Sequence, residues 1–377
     1  MLTTPDWNNI CHYDVGGKKF LNSISAWQEI QRSGAAYKFA FFDKKFEKFD
    51  WSVEPAATWN ELSISRALQL RHKYPWLRLW YSGGRDSHHI LKTFVDNNIS
   101  IDEIVIFHNQ FDDLRDHEMR NVVYPIAKEM VKHTKTKIIN ATLTFEDYQQ
   151  VFKKNWWDIA STDATQGWWF QPNNFSEMVK RRPDIFVLDH QGVRVGNIVG
   201  ADRPRLTIAD NAWWMQINDR MFDCCMSDGS FELFYLSGDL PDLHAKQCWM
   251  LLQQIEEKYQ NKSTEWITKY QEGRLGPDLY DEMALVVGRG SYSHWLLGTG
   301  VNKTNNGRDP RFDKIKQHNQ LSNLESYKNY QIMMDDLKTT FTGIFNQDDP
   351  VKGTIGIISE KYFLKNLSEN MNISSSI

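Results

Sequence analysis

The stretch LRLWYSGGRDSHHILKTF, residues 77–94, constrains this chain more than any other. A short apolar run meets two glycines and then resumes with amphipathic spacing, which is the pattern of a buried strand, a tight turn and a helix. The alternation continues downstream. IDEIVIFHN (101–109) reads as a second strand, DLRDHEMRNVVYPIAKEMVKH (113–133) as a second helix kinked at Pro125, and KTKIINATLT (135–144) as a third strand. Upstream, TWNELSISRALQLRHKY (58–74) places Thr58 and Glu61 at the spacing of a capping box, and Pro75 ends that helix. Strand, helix, strand, helix, strand at these lengths predicts an α/β fold: a parallel sheet with right-handed crossovers and helices on both faces. Such sheets bind ligands beyond the carboxyl ends of their strands, and the glycine turn falls at one of those ends.

The turn has the makings of an anion site. Its backbone N–H groups and the positive end of the following helix open into the same space. Gly83 and Gly84 allow close approach of a phosphate, while Ser82 and Ser87 add hydroxyl donors. Asp86 is the discordant member, because a carboxylate beside phosphates repels them unless a cation lies between. Mg²⁺, held through one carboxylate and phosphate oxygens, resolves the conflict. The loop therefore reads as a site for a magnesium-bound polyphosphate. It is not a Walker loop, since no G-x-x-x-x-G-K-[ST] occurs in the sequence.

SGGRDS (82–87) resembles the S-G-G-x-D-S pyrophosphate-binding loop of the PP-loop ATP pyrophosphatases, the adenine nucleotide alpha hydrolase-like (HUP) superfamily that includes the synthetase domain of asparagine synthetase. The resemblance implies ATP and Mg²⁺ as ligands, with Ser82, Gly83, Gly84, Arg85, Asp86 and Ser87 around the pyrophosphate. It also implies cleavage of ATP between the α- and β-phosphates, adenylation of a substrate oxygen, and displacement of AMP by a nitrogen or sulfur nucleophile. GNIVGADRPRL (196–206) and FYLSGDLPDLHAKQCW (234–249) are similar to a pattern in uncharacterised bacteriophage PP-loop proteins, and the first also resembles a later segment of asparagine synthetase. This second likeness implies Gly200 and Arg205 near the nucleotide, Asp202 as a second metal or ribose contact, Arg203 beside phosphate and Lys246 reaching the pyrophosphate. His108, ending the second strand, falls where the family contacts adenine, and Asp116 and Glu118 where asparagine synthetases carry an acidic pair. Solvated charge and ordinary packing account for each of these residues taken singly.

The chain divides into an irregular or edge-strand extension (1–60, with YKFAFFD and FEKFDW as candidate strands), the PP-loop domain (61–255), and an elaborated, mostly helical or irregular C-terminal extension (256–377). Between 173 and 260, NNFSEMVKRR reads as a short helix, DIFVLDHQ and GNIVGADRP as strands, RLTIADNAWWMQIND as a hairpin across Ala209–Asn211, and DLPDLHAKQCWMLLQQIEEKYQ as a helix. His88 and His89 follow the loop; one is expected to face the nucleotide and the other to pack, a satisfied structural histidine being the default for both.

Composition narrows the function classes. With 41% hydrophobic and 24% charged residues among 377, the chain is globular, and a net charge of -4 gives no global pull toward nucleic acid or anionic membrane. No secretory signal and no membrane span is read, so a cytoplasmic protein, phage-like and hence host-cytoplasmic, is expected. The four cysteines form no C-x-x-C pair, which argues against the superfamily's iron–sulfur and zinc branches. Fifteen tryptophans include the pairs Trp156–Trp157, Trp168–Trp169 and Trp213–Trp214, either packing or a base-stacking surface. The leading expectation is an AMP-forming enzyme that activates a small carboxylate or carbonyl for attack by ammonia or an amine. A modifier of a nucleic-acid base and a nucleotide sensor are the alternatives; acceptor and oligomeric state stay open.

Overall fold

The computed structural model describes residues 12–20, 23–109, 119–143, 189–190, 193–200, 205–217, 231–259 and 359–367. At its centre five parallel strands run in the order β6-β5-β4-β8-β11: β4 (Trp76–Trp80), β5 (Glu103–Asn109), β6 (Lys137–Leu143), β8 (Val193–Val199) and β11 (Phe231–Leu233). A two-residue strand, β7 (Asp189–His190), pairs antiparallel with β8. The chain starts in the middle, moves outward through β5 and β6, then returns to the other side of β4. The strand order therefore reverses between β4 and β8, the position at which open α/β sheets generally bind their ligands.

Helix α3 (Trp59–Lys73) begins at the expected capping box. Thr58 Oγ1 accepts the Glu61 amide at 3.2 Å, and the Glu61 carboxylate accepts the Thr58 amide at 2.7 Å. Helix α4 (Arg85–Asp96) follows β4 and ends before Asn97. The second crossover departs from a single kinked helix. A π-helical turn, Met119–Val123, leads into α5 (Tyr124–Val131), with Pro125 in the first turn of α5. Proline has no N–H to donate, so the widened turn falls where the regular ladder lacks a donor.

Alternation along the strands separates two faces. Leu77 and Leu79, Ile104 and Ile106, and Ile198 share one core with Leu62, Ala67 and Leu70 of α3, Ile90, Leu91 and Phe94 of α4, and Ala127 and Val131 of α5. The opposite face carries Arg78, Trp80, Val105 and Asn197, all buried. There Arg78 pairs with Glu103 at 2.8 Å, and the Trp80 indole donates to Asn197 Oδ1 at 3.1 Å.

A buried network fastens α3 to the β11 edge. Arg66 pairs with Glu232 at 2.8 Å and donates to the Leu233 and Phe234 carbonyls, while Lys73 and the Tyr74 hydroxyl reach the same carboxylate, each at 2.6 Å. Burial alone would raise the Glu232 pKa, but Arg66 and Lys73 outweigh it and hold the carboxyl below its ordinary range. The same burial, with Glu232 alongside, pushes the Tyr74 phenol upward.

The expected hairpin is present as β9 (Arg205–Ala209) and β10 (Ala212–Gln216). Asp210 and Asn211 both have positive φ, 51° and 55°, as a type I′ turn requires. A distant strand, β12 (Tyr362–Asn366), pairs with β10 to complete an antiparallel sheet. The N-terminal segment is more regular than its sequence suggests. β1 (His12–Val15), β2 (Lys18–Phe20) and β3 (Tyr37–Ala40) form an antiparallel sheet, with α1 (Ser23–Ser33) between β2 and β3. YKFA is the expected strand; FEKFDW is not one, because Phe46 ends the short helix α2 (Asp43–Phe46) and the next residues turn. Those aromatics form a core instead. Phe46 and Trp51 pack on Tyr362 at 5.7 and 5.4 Å between ring centroids, and Trp51 on His244 at 6.3 Å. His244 belongs to α6 (Pro241–Tyr259), which crosses residue 256 without a break. The helix expected at 173–182 lies outside the described residues.

Candidate functional site

The glycine loop sits at the order reversal. Tyr81 continues the ladder, its amide donating to the Val105 carbonyl at 2.9 Å, and the chain then turns through Ser82, Gly83 and Gly84 into α4. Gly83 has φ +67°, and a Cβ there would lie 2.5 Å from Val123 of the π-helical turn. Both its conformation and its packing require glycine. Gly84 is the N-cap of α4 and differs: its φ is ordinary, and a Cβ would meet only the Ser82 hydroxyl, at 3.2 Å. On the other side, a Cβ on Gly200 would lie 3.0 Å from the Ser87 amide nitrogen and 3.1 Å from the Asp86 carbonyl carbon. Gly200, directly after β8, thus packs against the first turn of α4.

The serine hydroxyls brace this turn. Ser87 Oγ accepts the Ser82 amide at 3.2 Å and donates to the Gly84 carbonyl at 3.2 Å, and the Gly84 amide donates to Ser82 Oγ at 3.3 Å. Because the N-cap is glycine, no side-chain oxygen of that residue covers the first-turn amides, which keeps the positive end of α4 suited to an external anion. Asp86 lies in the first helical turn, half-buried, with its backbone carbonyl accepting the Tyr235 hydroxyl at 3.0 Å.

Both histidines after the loop are buried and satisfied. His88 Nδ1 lies 2.9 Å from the Tyr81 hydroxyl, and His89 Nδ1 lies 2.9 Å from the Tyr235 hydroxyl. Desolvation brings each pKa down to about 4, with neighbouring positive charge from Lys92 acting in the same direction, so both are neutral near pH 7. Trp59, from the start of α3, stacks on His89 and Tyr235 with centroids at 5.5 and 5.6 Å. Sequence reasoning assigned no role to Trp59 or Tyr235, which lie 27 residues before and 149 residues after Asp86. Tyr235 falls within FYLSGDLPDLHAKQCW, but nothing local ties it or Trp59 to the glycine loop.

The remaining candidates are placed as follows. Gly200 is at the site, as described. Arg85 opens α4, His108 lies in β5 next to its end, and Arg205 opens β9. Asp202, Arg203, Asp116 and Glu118 lie outside the described residues. Lys246 pairs with Glu54 at 2.6 Å and donates to the Pro55 carbonyl at 3.0 Å, tying α6 to the segment before α3. Of the tryptophan pairs, Trp213 is fully buried and the Trp214 indole donates to the Ala209 carbonyl, so this pair packs the hairpin. Trp156–Trp157 and Trp168–Trp169 lie outside the described residues. Cys248 is a buried free thiol pushed up in pKa by desolvation. Among the described residues no three His, Cys, Asp or Glu side chains form a metal-binding group, and no helix is long and apolar enough to cross a membrane. No family model matches the chain, and no curated protein matches it.

Proposed function

We propose that this chain is an AMP-forming PP-loop enzyme with a HUP-like domain, using ATP and Mg²⁺ to activate a small carboxylate or carbonyl for attack by ammonia or an amine. One observation carries the reading. The SGGRDS loop lies where the sheet order reverses, between the carboxyl ends of β4 and β8, and runs into a helix whose N-cap is glycine. That is where sheets of this kind bind ligands, and a helix start of this kind suits a polyphosphate.

The donor set is compatible with a magnesium–nucleotide ligand. Mg²⁺ takes one or two carboxylates together with substrate phosphate oxygens, Asp86 supplies a carboxylate at the loop, and Gly84 places no side chain over the start of α4. When bound, the ion would offset charge on the phosphates. The loop amides and the α4 N-terminus would orient the β- and γ-phosphates and stabilise the charge that builds on leaving pyrophosphate. In the reaction, an acceptor oxygen attacks the α-phosphorus, the α–β phosphoanhydride bond breaks, and pyrophosphate leaves. The nitrogen nucleophile then expels AMP from the acyl adenylate and loses its proton to water. Asp202 and Arg203 remain the proposed second metal contact and phosphate partner, with Arg205, His108 and Lys246 as further nucleotide contacts.

Pyrophosphate release from ATP and Mg²⁺ tests the reading, assayed with pools of carboxylic acids, nucleotides and transfer RNA as acceptors. The expected result is acceptor-dependent formation of AMP and pyrophosphate by the wild type. Asp86→Ala should lower the rate at least a hundredfold, about the weight of a charge-stabilising group in a transition state, with an unchanged melting temperature. ATP binding without turnover under any acceptor would move the assignment to a sensor, and release dependent on transfer RNA would move it to base modification.

A further inference from the structure

We propose that Tyr235 and His89 are positioning residues for Asp86: a hydrogen-bond relay from the loop after β11 that fixes the first turn of α4. The inference deepens the functional reading above and rests on it for its link to the nucleotide. Its geometric part stands on the contacts alone.

The relay follows from proton bookkeeping. The Tyr235 hydroxyl is 3.0 Å from the Asp86 carbonyl oxygen and 2.9 Å from His89 Nδ1. A carbonyl only accepts and a phenol has one proton. Donation to Asp86 therefore requires the phenol oxygen to accept from the imidazole, which places the His89 proton on Nδ1. The order is His89 Nδ1–H to Tyr235 oxygen, and Tyr235 O–H to Asp86 carbonyl. Three rings from three elements hold it in place. Trp59 lies nearly parallel to Tyr235, at 13°, and at 25° to His89, whose centroid is 5.9 Å from that of Tyr235. Tyr235 itself is anchored by the sheet, since the preceding amide, Phe234, donates to the Val199 carbonyl at 3.1 Å.

The consequence is mechanical. Asp86 carries the one carboxylate of the loop, and its backbone is held by the segment after β11, which the loop's own β-α unit does not contain. Displacing that carbonyl would turn the carboxylate and the adjacent amides together. Neither Tyr235 nor His89 is assigned contact with substrate.

Three variants separate donor chemistry from ring packing. Tyr235→Phe keeps the ring and removes the hydroxyl. His89→Leu removes the donor, whereas His89→Asn places an amide N–H where Nδ1–H was. Hydrogen exchange followed by mass spectrometry on peptides covering the first turns of α4 should accelerate about tenfold in Tyr235→Phe and His89→Leu, the scale of one lost hydrogen bond. His89→Asn should stay near wild type, and peptides from β5, β6 and α5 should be unchanged in all three. In parallel, the Mg²⁺ concentration for half-maximal ATP binding, by titration calorimetry, should rise several-fold in the first two variants and recover in His89→Asn. Wild-type exchange rates in Tyr235→Phe, or equal damage from His89→Asn and His89→Leu, would overturn the relay. If the wild type binds no ATP, the functional reading falls, while the exchange result still decides whether the relay exists.

Discussion

Gly83 and Gly84 are adjacent but answer to different constraints, and substitution separates them. At Gly83, alanine must adopt a φ of +67° and push its Cβ toward Val123 at 2.5 Å. The left-handed conformation and the overpacking together should lower stability by about 2 kcal/mol or more, visible as a depressed melting temperature. At Gly84 the backbone is extended and the nearest atom is a hydroxyl. Gly84→Ala should lose about 1 kcal/mol at most, as an N-cap change, yet bind ATP more weakly, because its new methyl stands where a phosphate would approach. A Gly84→Ala protein with undiminished ATP affinity would place the phosphates elsewhere. His244 makes a separate, titrable prediction. It is fully buried, with Gln247 and the Tyr235 carbonyl nearby but without a well-formed hydrogen bond at either ring nitrogen, and desolvation lowers its pKa from 6.5 to about 4. Between those values the unfolded chain binds a proton that the folded chain does not. The stabilisation is complete above pH 6.5 and declines as pH falls toward 4, by roughly 3 kcal/mol for a shift of this size. His88 and His89 act in the same direction, so His244→Leu should flatten the loss of urea-unfolding free energy between pH 7 and pH 4.5 without abolishing it.

At the scale of elements, the β9–β10 turn is the most sharply specified. Asp210 and Asn211 both occupy the left-handed region, which short polar side chains tolerate and β-branched ones do not. Asp210→Val should destabilise by about 1–2 kcal/mol, read from the urea midpoint, and Asn211→Gly should be neutral or better. This hairpin was legible in the sequence because its information is local: two turn residues between alternating apolar positions. The same holds for the capping box at Thr58 and for the strand–loop–helix at the site. Pairings set by distant residues were not legible. Nothing in GNIVG says that β8 lies beside β4, because both are simply apolar and strand-like, and that adjacency places Gly200 against α4. FEKFDW is a short aromatic stretch that reads as an edge strand, yet Phe46 and Trp51 are satisfied by Tyr362, more than 300 residues away. Trp59 and Tyr235 escaped notice for the same reason. The chemistry of the loop is written in six consecutive residues, but its support comes from Trp59, Val123, Gly200 and Tyr235, in four separate parts of the chain.

For the molecule as a whole, the Arg66–Glu232 pair joins the helix before the first parallel strand to the last parallel strand, so it closes the sheet's long excursion. Removing one partner leaves the other buried and uncompensated. Glu232→Ala should therefore cost about 3–5 kcal/mol, and Glu232→Gln less, because its one carbonyl oxygen still accepts from Arg66. Since the folded pKa of Glu232 is depressed, its contribution is present above the ordinary carboxylate range and is lost as pH falls through the lowered value. Acid unfolding should begin at a higher pH in Lys73→Met, which loses one of the two cations holding that carboxylate ionised.

The pairing of β12 with β10 sets an order on biosynthesis. As the polypeptide leaves the ribosome, the hairpin's outer strand must wait for a long further stretch to be translated before its partner arrives. Until then it presents unpaired amides and carbonyls, the kind of edge on which nascent chains associate. A chain truncated before Tyr362 would leave that edge bare, so such a variant should be found in the aggregated fraction.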